Sequence, residues 1–503
     1  MKVLHLLIIF FIIHNSNFIF HNSNSIHAQK VALVLSGGGS RGAAHIGVIR
    51  ALEENHIPID YIAGTSIGAV IGSLYAMGYT PDEMEKLMDS DTFRRWAAGI
   101  MDEKYVYYYR KEDPNASWVS LDINLKKKLT SQIPANLISP YEMDFAFMEL
   151  LAPAAAACGY NFNNLLIPFR CVATDVDSSK TLVLRNGDLA SAVRGSMTIP
   201  FIFTPITLNG KLLFDGGMRN NFPVDVAKNE FHPDVIIGSR VAERYDKPDR
   251  DDALSQLLSM LMENQSDTLI YPNSVLIIPR LPQVNIISFS RVKEMIDSGY
   301  IAANRQMNSI RRLVNESVDT VQLKMKREKI RAKSPPLVFD SIIINGLSKS
   351  QTNYVRGLLK HGKQYVTLKE LKKEYFRFID EGFIKSIYPV ARFNPKTGYY
   401  TLILDIRKAE NFNVQFGGNI SLGTNTEGFA EINYKYLWSK TIKLMVNGYF
   451  GRFYYSAKAG ARIDFNSKVP WFLEACYTFN NFNYFKSSQY FFDDKQPTYI
   501  IQR

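Results

Sequence analysis

The chain has little cysteine and little histidine. Its 503 residues contain three cysteines, Cys158, Cys171 and Cys476. An odd, widely spaced set is no disulfide framework, and Cys158, in LAPAAAACGYNF, reads as helix packing rather than redox chemistry. Of the 8 histidines, His5, His14, His21 and His27 fall in the N-terminal segment, which leaves His45, His56, His232 and His361. Ligand spacing is also lacking. The carboxylate clusters DKPDRDD and FDDK read as solvated loops, so neither a metal nor a cofactor is implied. The net charge of +11 has a local source in KMKREKIRAKSPP, Lys324 to Pro336. No recognised binding motif and no clustered stacking aromatics accompany that run, which argues against nucleic acid. It reads instead as a solvated helix end entering a proline-containing linker, with attraction to anionic lipid head groups as the weaker reading.

The N-terminal segment is a leader. Lys2 precedes the apolar stretch VLHLLIIFFII, and a polar tail ends in SIHAQ. This is the pattern of a secretory signal peptide, with cleavage expected after Ala28. The apolar core is short for a membrane anchor and is followed by an Asn-rich break. The protein is therefore expected to be exported.

Next comes VALVLSGGGSRGAAHIGVIRALEE, an apolar run climbing into Gly37, Gly38 and Gly39 and then a helical pattern. Such a loop brings amide N–H groups together at a helix N-terminus and suits an anion. Gly37-x-Gly39-x-x-Gly42 also satisfies the dinucleotide fingerprint, but Asp60 precedes the next strand, where that reading wants an acid at its end. The end of that strand holds Gly64-Thr65-Ser66-Ile67-Gly68, a G-x-S-x-G turn that exposes a serine between strand and helix. A serine nucleophile needs a base within reach. His45 falls on an apolar-periodic helix and reads as a core residue; His56 lies in a loop; His361 is far downstream. His232 follows Ser66 but stands just before a strand, at the sheet edge opposite the catalytic ends. A carboxylate is better placed. Asp215 ends the apolar strand of NGKLLFDGGMRNN and is followed by Gly216 and Gly217, although a D-G-G turn is by itself common.

Together SGGGSRG, GTSIG and DGG resemble the patatin-like phospholipase family, and the resemblance extends over about Lys30 to Ile310 through CVATDVDSSK and SAVRGSMTIPFIFTPI. It implies an α/β hydrolase domain, a central sheet with helices on both faces, and a serine–aspartate dyad without histidine. Ser66 is then the nucleophile and Asp215 the general base, with an oxyanion hole from Gly37, Gly38 and Gly39. Gly42, Gly64, Gly68, Gly216 and Gly217 support the motifs. Arg41 orients the loop, meets a head-group phosphate, or forms a surface ion pair; these stay open. The expected reaction is hydrolysis of a fatty-acyl ester of a phospholipid or other lipid through an acyl-enzyme. A fragment from Lys30 to Lys333 is expected to be soluble alone.

Beyond Pro336 the pattern changes. Residues 337–409 read as strand, helix, helix, strand, strand, an order that resembles a polypeptide-transport-associated (POTRA) domain. From Asn411 apolar and polar residues alternate, as in Ala430, Ile432, Tyr434 and Tyr436 against Glu431, Asn433 and Lys435. Ten-residue segments of this period with aromatic ends resemble the transmembrane strands of the outer-membrane assembly-factor superfamily. The span to Arg503 holds about six such strands where a closed barrel needs at least eight, so a truncated product is expected. The expected organisation is a signal peptide (1–28), a patatin-like domain (30–320), a basic linker (321–336), a POTRA-like domain (337–409) and a partial barrel (411–503). The enzyme domain would be tethered at the outer membrane, facing periplasm or exterior, in an unknown oligomeric state. An assembly module with an idle hydrolase and a dinucleotide-binding protein are the competing classes.

Overall fold

The computed structural model describes residues 29–105, 114–123, 137–242, 251, 256, 271–420, 426–438, 440–451, 453–465 and 471–482. The leader, the FDDK tail and all of DKPDRDD but Asp251 lie outside them.

Strand β1 (Val31–Leu35) is buried throughout. It ends in the glycine loop, and a 3-10 turn over Gly39–Ala43 leads into α1 (Ala44–Glu54). Strand β2 (Tyr61–Thr65) runs into α2 (Ile67–Ala76) through Ser66. Helix α3 (Pro81–Met88) is started by a Thr80–Glu83 capping box with proline at its first position. Helix α4 (Asp91–Ala98) is capped by Ser90 and stopped by Gly99 at φ 67°. Strand β3 (Ser117–Ile123) and helix α5 (Tyr141–Ala157) follow. Strands β4 (Phe169–Asp175) and β5 (Lys180–Leu184) lead to α6 (Leu189–Ser196). Then come β6 (Ile206–Leu208), β7 (Lys211–Asp215), α7 (Val224–Phe231), β8 (Val235–Ser239) and β9 (Ser274–Ile277). Helices α8 (Val292–Leu313) and α9 (Thr320–Ala332) close the domain.

The sheet has the order β6-β7-β4-β2-β1-β8-β9, with β5 also on β4. Its centre, β4-β2-β1-β8-β9, is parallel; β5, β6 and β7 run antiparallel to their neighbours. Parallel strands are buried on both faces and read as continuous apolar runs, as VALVL does. Leu33 and Leu35 enter the main core with α1 and α2, while Ala32, Val34 and Ile236 meet Ala227 of α7 on the other face. The basic run is a largely exposed helix end, as read from the sequence, and residues 321–332 are helix rather than linker. It lies in α9, where Asp319 caps the helix and Arg327 and Arg331 pair with Glu53 and Glu83.

Residues 338–408 form an α+β unit: β10 (Val338–Asn345), α10 (Lys349–Lys360), the two-residue β11 (Val366–Thr367), α11 (Leu368–Asp380), β12 (Ile384–Asn394) and β13 (Tyr399–Lys408). Its sheet order is β11-β10-β13-β12. The order read from the sequence holds with β11 added. Helix α5 is shared: Met143, Phe147 and Leu151 lie in the first core, Phe145, Met148 and Ala152 in that of the α+β unit. A helix apolar all round is a buried helix, so a fragment ending at Lys333 would expose one face of it.

The last sheet is an antiparallel meander of β14 (Phe412–Asn419), β15 (Glu427–Leu437), β16 (Thr441–Gly451), β17 (Tyr454–Phe465) and β18 (Trp471–Phe482). Its other edge is taken by β3, from within the first domain. The register makes two unlike faces: Ile432, Val446, Ala459 and Tyr477 are aligned on one, Glu431, Asn447, Lys458 and Thr478 on the other. Strand β3 obeys the same rule, with Val119 and Leu121 opposite Phe416 and Val414, and Ser120 and Asp122 opposite Gln415 and Asn413. Among the described residues no helix is long and apolar enough to cross a membrane.

Candidate active site

The C-terminal ends of β1, β2 and β7 converge, and each brings one motif. Ser66 sits between β2 and α2 at φ 54°, ψ −125°, a conformation that costs a non-glycine residue on the order of 1–3 kcal/mol and persists only where neighbours hold it. The flanking glycines are what make the turn possible. A Cβ on Gly64 would lie 2.5 Å from the Gly68 carbonyl oxygen, and one on Gly68 would lie 2.4 Å from that of Leu35. Opposite, Asp215 closes β7. Ser66 Oγ donates to Asp215 Oδ2 at 2.7 Å, and the Gly217 amide donates to Oδ1 at 2.7 Å. Gly216 packs against the Val172 carbonyl and Thr65.

Asp215 is fully buried. Loss of water pushes its carboxyl up to about 6, against the lowering pull of the Ser66 hydroxyl and the Gly217 amide. A carboxylate with that proton affinity is a competent base near neutral pH, which an ordinary aspartate is not.

The glycine loop lies across the same site but divides its amides. The Gly37 N–H donates to the Asn221 carbonyl at 2.9 Å, and Ser40 N–H to that of Ile286. The Gly37 donor is thus already used, which corrects its place in the expected oxyanion hole and leaves Gly38 and Gly39 as the loop's candidates. Gly39 has φ 57°, the left-handed region that glycine tolerates. Gly42 packs against Ile67, and Arg41 is buried within the 3-10 turn rather than on the surface.

Among the described residues no histidine joins the pair. His45 is buried, and burial pushes it down to about 4. Its Nε2 lies 2.9 Å from the Ser36 carbonyl, which can only accept, so Nε2 carries the proton and Nδ1 accepts from the Ser239 hydroxyl at 2.8 Å. It braces the start of the glycine loop. His232 is the left-handed cap of α7, three residues before β8 begins. Asp60 pairs with Lys30 and the Val31 amide at the far end of β1.

Three partners escaped the sequence reading. Asn220 and Asn221, in the loop after Asp215, take Thr65 Oγ1 and the Gly37 amide. Ser196 takes the Ser66 amide at 2.9 Å. Ser66 and Gly39 also line a narrow apolar cavity with Phe93, Trp96, Phe147 and Phe289.

Residues 33–228 match the patatin-like phospholipase family. The chain is 34% identical over 205 residues to a patatin-like phospholipase domain-containing protein of Caenorhabditis elegans, covering 40% of this chain and 13% of that one. It is 31% identical over 217 residues to the mouse patatin-like phospholipase domain-containing protein 6, covering 42% and 14%. An uncharacterized NTE family protein of Mycobacterium bovis is 32% identical over 197 residues, covering 39% and 45%. The chain thus spans less than half the length of these relatives. Among solved structures, VipD of Legionella pneumophila aligns over 66% of this chain and 76% of its own at 12% identity, with a TM-score of 0.28, too slight a likeness to argue from. The patatin-like domain contains the glycine loop, the Ser66 elbow and Asp215.

Proposed function

We propose that this protein is a serine lipid acyl hydrolase working through a Ser66–Asp215 dyad. The observation that carries the reading is the 2.7 Å hydrogen bond from a strained, elbow-borne serine to a fully buried carboxylate. Asp215 takes the Ser66 proton as Oγ attacks the acyl carbonyl. The amides of Gly38 and Gly39 receive the oxyanion. Collapse releases the alcohol, or lysolipid, with the proton passing from Asp215 to the leaving oxygen. Water, deprotonated by Asp215, then frees the fatty acid from Ser66. The apolar cavity beside Ser66 suits an acyl chain. A phospholipid or related acyl-ester lipid is the proposed substrate, and no cofactor enters the chemistry.

The remaining parts give the enzyme its address. We propose that residues 337–409 are a POTRA-like domain and that the strands from Asn411 begin an outer-membrane barrel, with export by the leader. Apolar side chains on the exposed face of this sheet, Ile432 at 52%, Val446 at 56% and Tyr477 at 73% exposure, support a lipid-facing surface.

A fluorogenic acyl ester and an organophosphonate probe test the chemistry on the full chain in detergent. Hydrolysis and labelling at Ser66 are expected, and Ser66→Ala should remove both. Wild-type turnover in that variant refutes the reading.

A further inference from the structure

Helix α6 has an end at each of two places that matter. At its C-terminal end Ser196 is completely buried. Its Oγ accepts the Ser66 N–H at 2.9 Å and donates to the Val172 carbonyl of β4 at 2.5 Å. One hydroxyl with both functions engaged therefore ties the nucleophile elbow to the sheet. The strained Ser66 backbone needs such a tie, because a residue at φ 54°, ψ −125° relaxes unless its neighbours over-determine it.

The other end of α6 meets the α+β unit. Asp188 caps the helix through the Ser191 amide and also accepts the Ser191 hydroxyl at 2.6 Å. Ser191 Oγ in turn accepts from the hydroxyl of Tyr388, in β12, at 3.0 Å. Between the two ends, the buried Arg194 donates from Nε to Asp144 of α5 at 2.6 Å, with further bonds to Thr198 Oγ1 and the Thr204 carbonyl. Asp144 belongs to the helix whose next residue, Phe145, lies in the core of the α+β unit. Helix α6 is thus tied to the α+β unit directly at its N-terminal end, through Tyr388, and at mid-helix through α5, which packs into that unit's core.

We propose that the α+β unit is a positioning element of the hydrolase. Through α6 it holds Ser196 against the Ser66 amide, and Ser66 keeps its attacking geometry only while that unit is seated. Ser196 and Tyr388 are positioning residues in this scheme. The inference rests on the hydrolase reading above.

A double-mutant cycle on the full chain, with a short p-nitrophenyl ester as probe, tests it. Ser196→Ala should lower kcat by about 10- to 100-fold, the scale of a misplaced reacting group. KM should stay within about twofold and the acidic limb of the pH profile should not move, because neither acyl binding nor Asp215 is touched. Tyr388→Phe removes a single oxygen and should lower kcat by about threefold. If Tyr388 acts through Ser196, the double variant is no slower than Ser196→Ala alone. Ser191→Ala, which removes the acceptor, should reproduce Tyr388→Phe and replaces it should that variant not fold. Wild-type kcat in Ser196→Ala, or single effects that multiply in the double variant, overturns the proposal. Loss of the hydrolase reading shows differently, as retained turnover in Ser66→Ala.

Discussion

Strands β1 and β18 solve the same backbone problem in opposite surroundings. All five residues of β1 are buried, and its apolar run needs no alternation because both faces meet protein. Most of β18 is exposed, and its alternation sorts side chains onto two faces of an antiparallel sheet. What sets this sheet apart is which face is wet. On β15 the polar Glu431 and Asn433 are each 7% exposed, while Ile432 between them stands open. Glu431 accepts from Asn433, Asn447 and Asn115, so the polar face is knitted together. The first domain buries the apolar groups of its central strands against its own helices; the last sheet turns them outward, where only lipid or another apolar surface would complete it.

The largest effect should come from cutting the chain. A fragment ending at Lys333 exposes Phe145, Met148 and Ala152 of α5, and it should aggregate or melt far below the full chain, as read by sedimentation and circular dichroism. A soluble, fully active fragment would make the two units independent. Next, Leu33→Ala should destabilise the first domain by about 2–5 kcal/mol in denaturant, the usual cost of a buried leucine, whereas Val446→Ala in detergent should cost far less. In a bilayer, Val446→Lys should cost about 2–4 kcal/mol if its face meets lipid midplane. Unchanged insertion into vesicles would contradict the lipid-facing assignment.

A smaller effect separates the site from both regions. Burial raises Asp215 to about 6, so the folded state holds its proton more tightly than the unfolded chain does. The group favours folding at low pH, and that advantage is lost as pH rises from about 3.8 through about 6. Asp215→Asn should therefore stabilise the protein at pH 8 by on the order of 1–3 kcal/mol, with the gain vanishing near pH 4. His45 acts in the other direction. Held neutral down to about 4, it costs stability as pH falls from 6.5 towards that value, and His45→Asn should flatten the acid side of the melting curve. Equal pH dependence in variant and wild type would contradict these environments.

What was legible in the sequence had a local signature. The elbow at Ser66 needs glycines two residues away on each side, and Asp215 needs a tight turn after it, so each is written in a few adjacent letters. Alternation in β15 to β18 survived because a two-faced sheet imposes a period of two. The missing parts were those whose reasons lie elsewhere in the chain. Ser196 meets Ser66 across 130 positions and Thr65 meets Asn220 across 155, and nothing local marks a serine or asparagine for such a task. Gly37 enters the expected oxyanion hole by its place in the SGGGSRG motif; only folding shows that Asn221 already holds its amide. The dense charges of α9 read as a solvated helix end, yet Arg327 and Arg331 find acids elsewhere on the first domain. Strand β3 has a strand's alternation in SWVSLDI, but its partner lies beyond the next two sheets.

The dyad is the centre of the account, and the pH dependence of kcat/KM tests it most directly. With wild-type protein, kcat/KM should fall about tenfold per pH unit below about 6, as the Asp215 carboxylate takes up its proton. Asp215→Asn should lower turnover by about 10²- to 10⁴-fold and abolish that limb. His45→Asn and His232→Ala should keep the limb in place. If a histidine variant loses both activity and limb while Asp215→Asn retains them, Asp215 is not the base and the dyad is wrong.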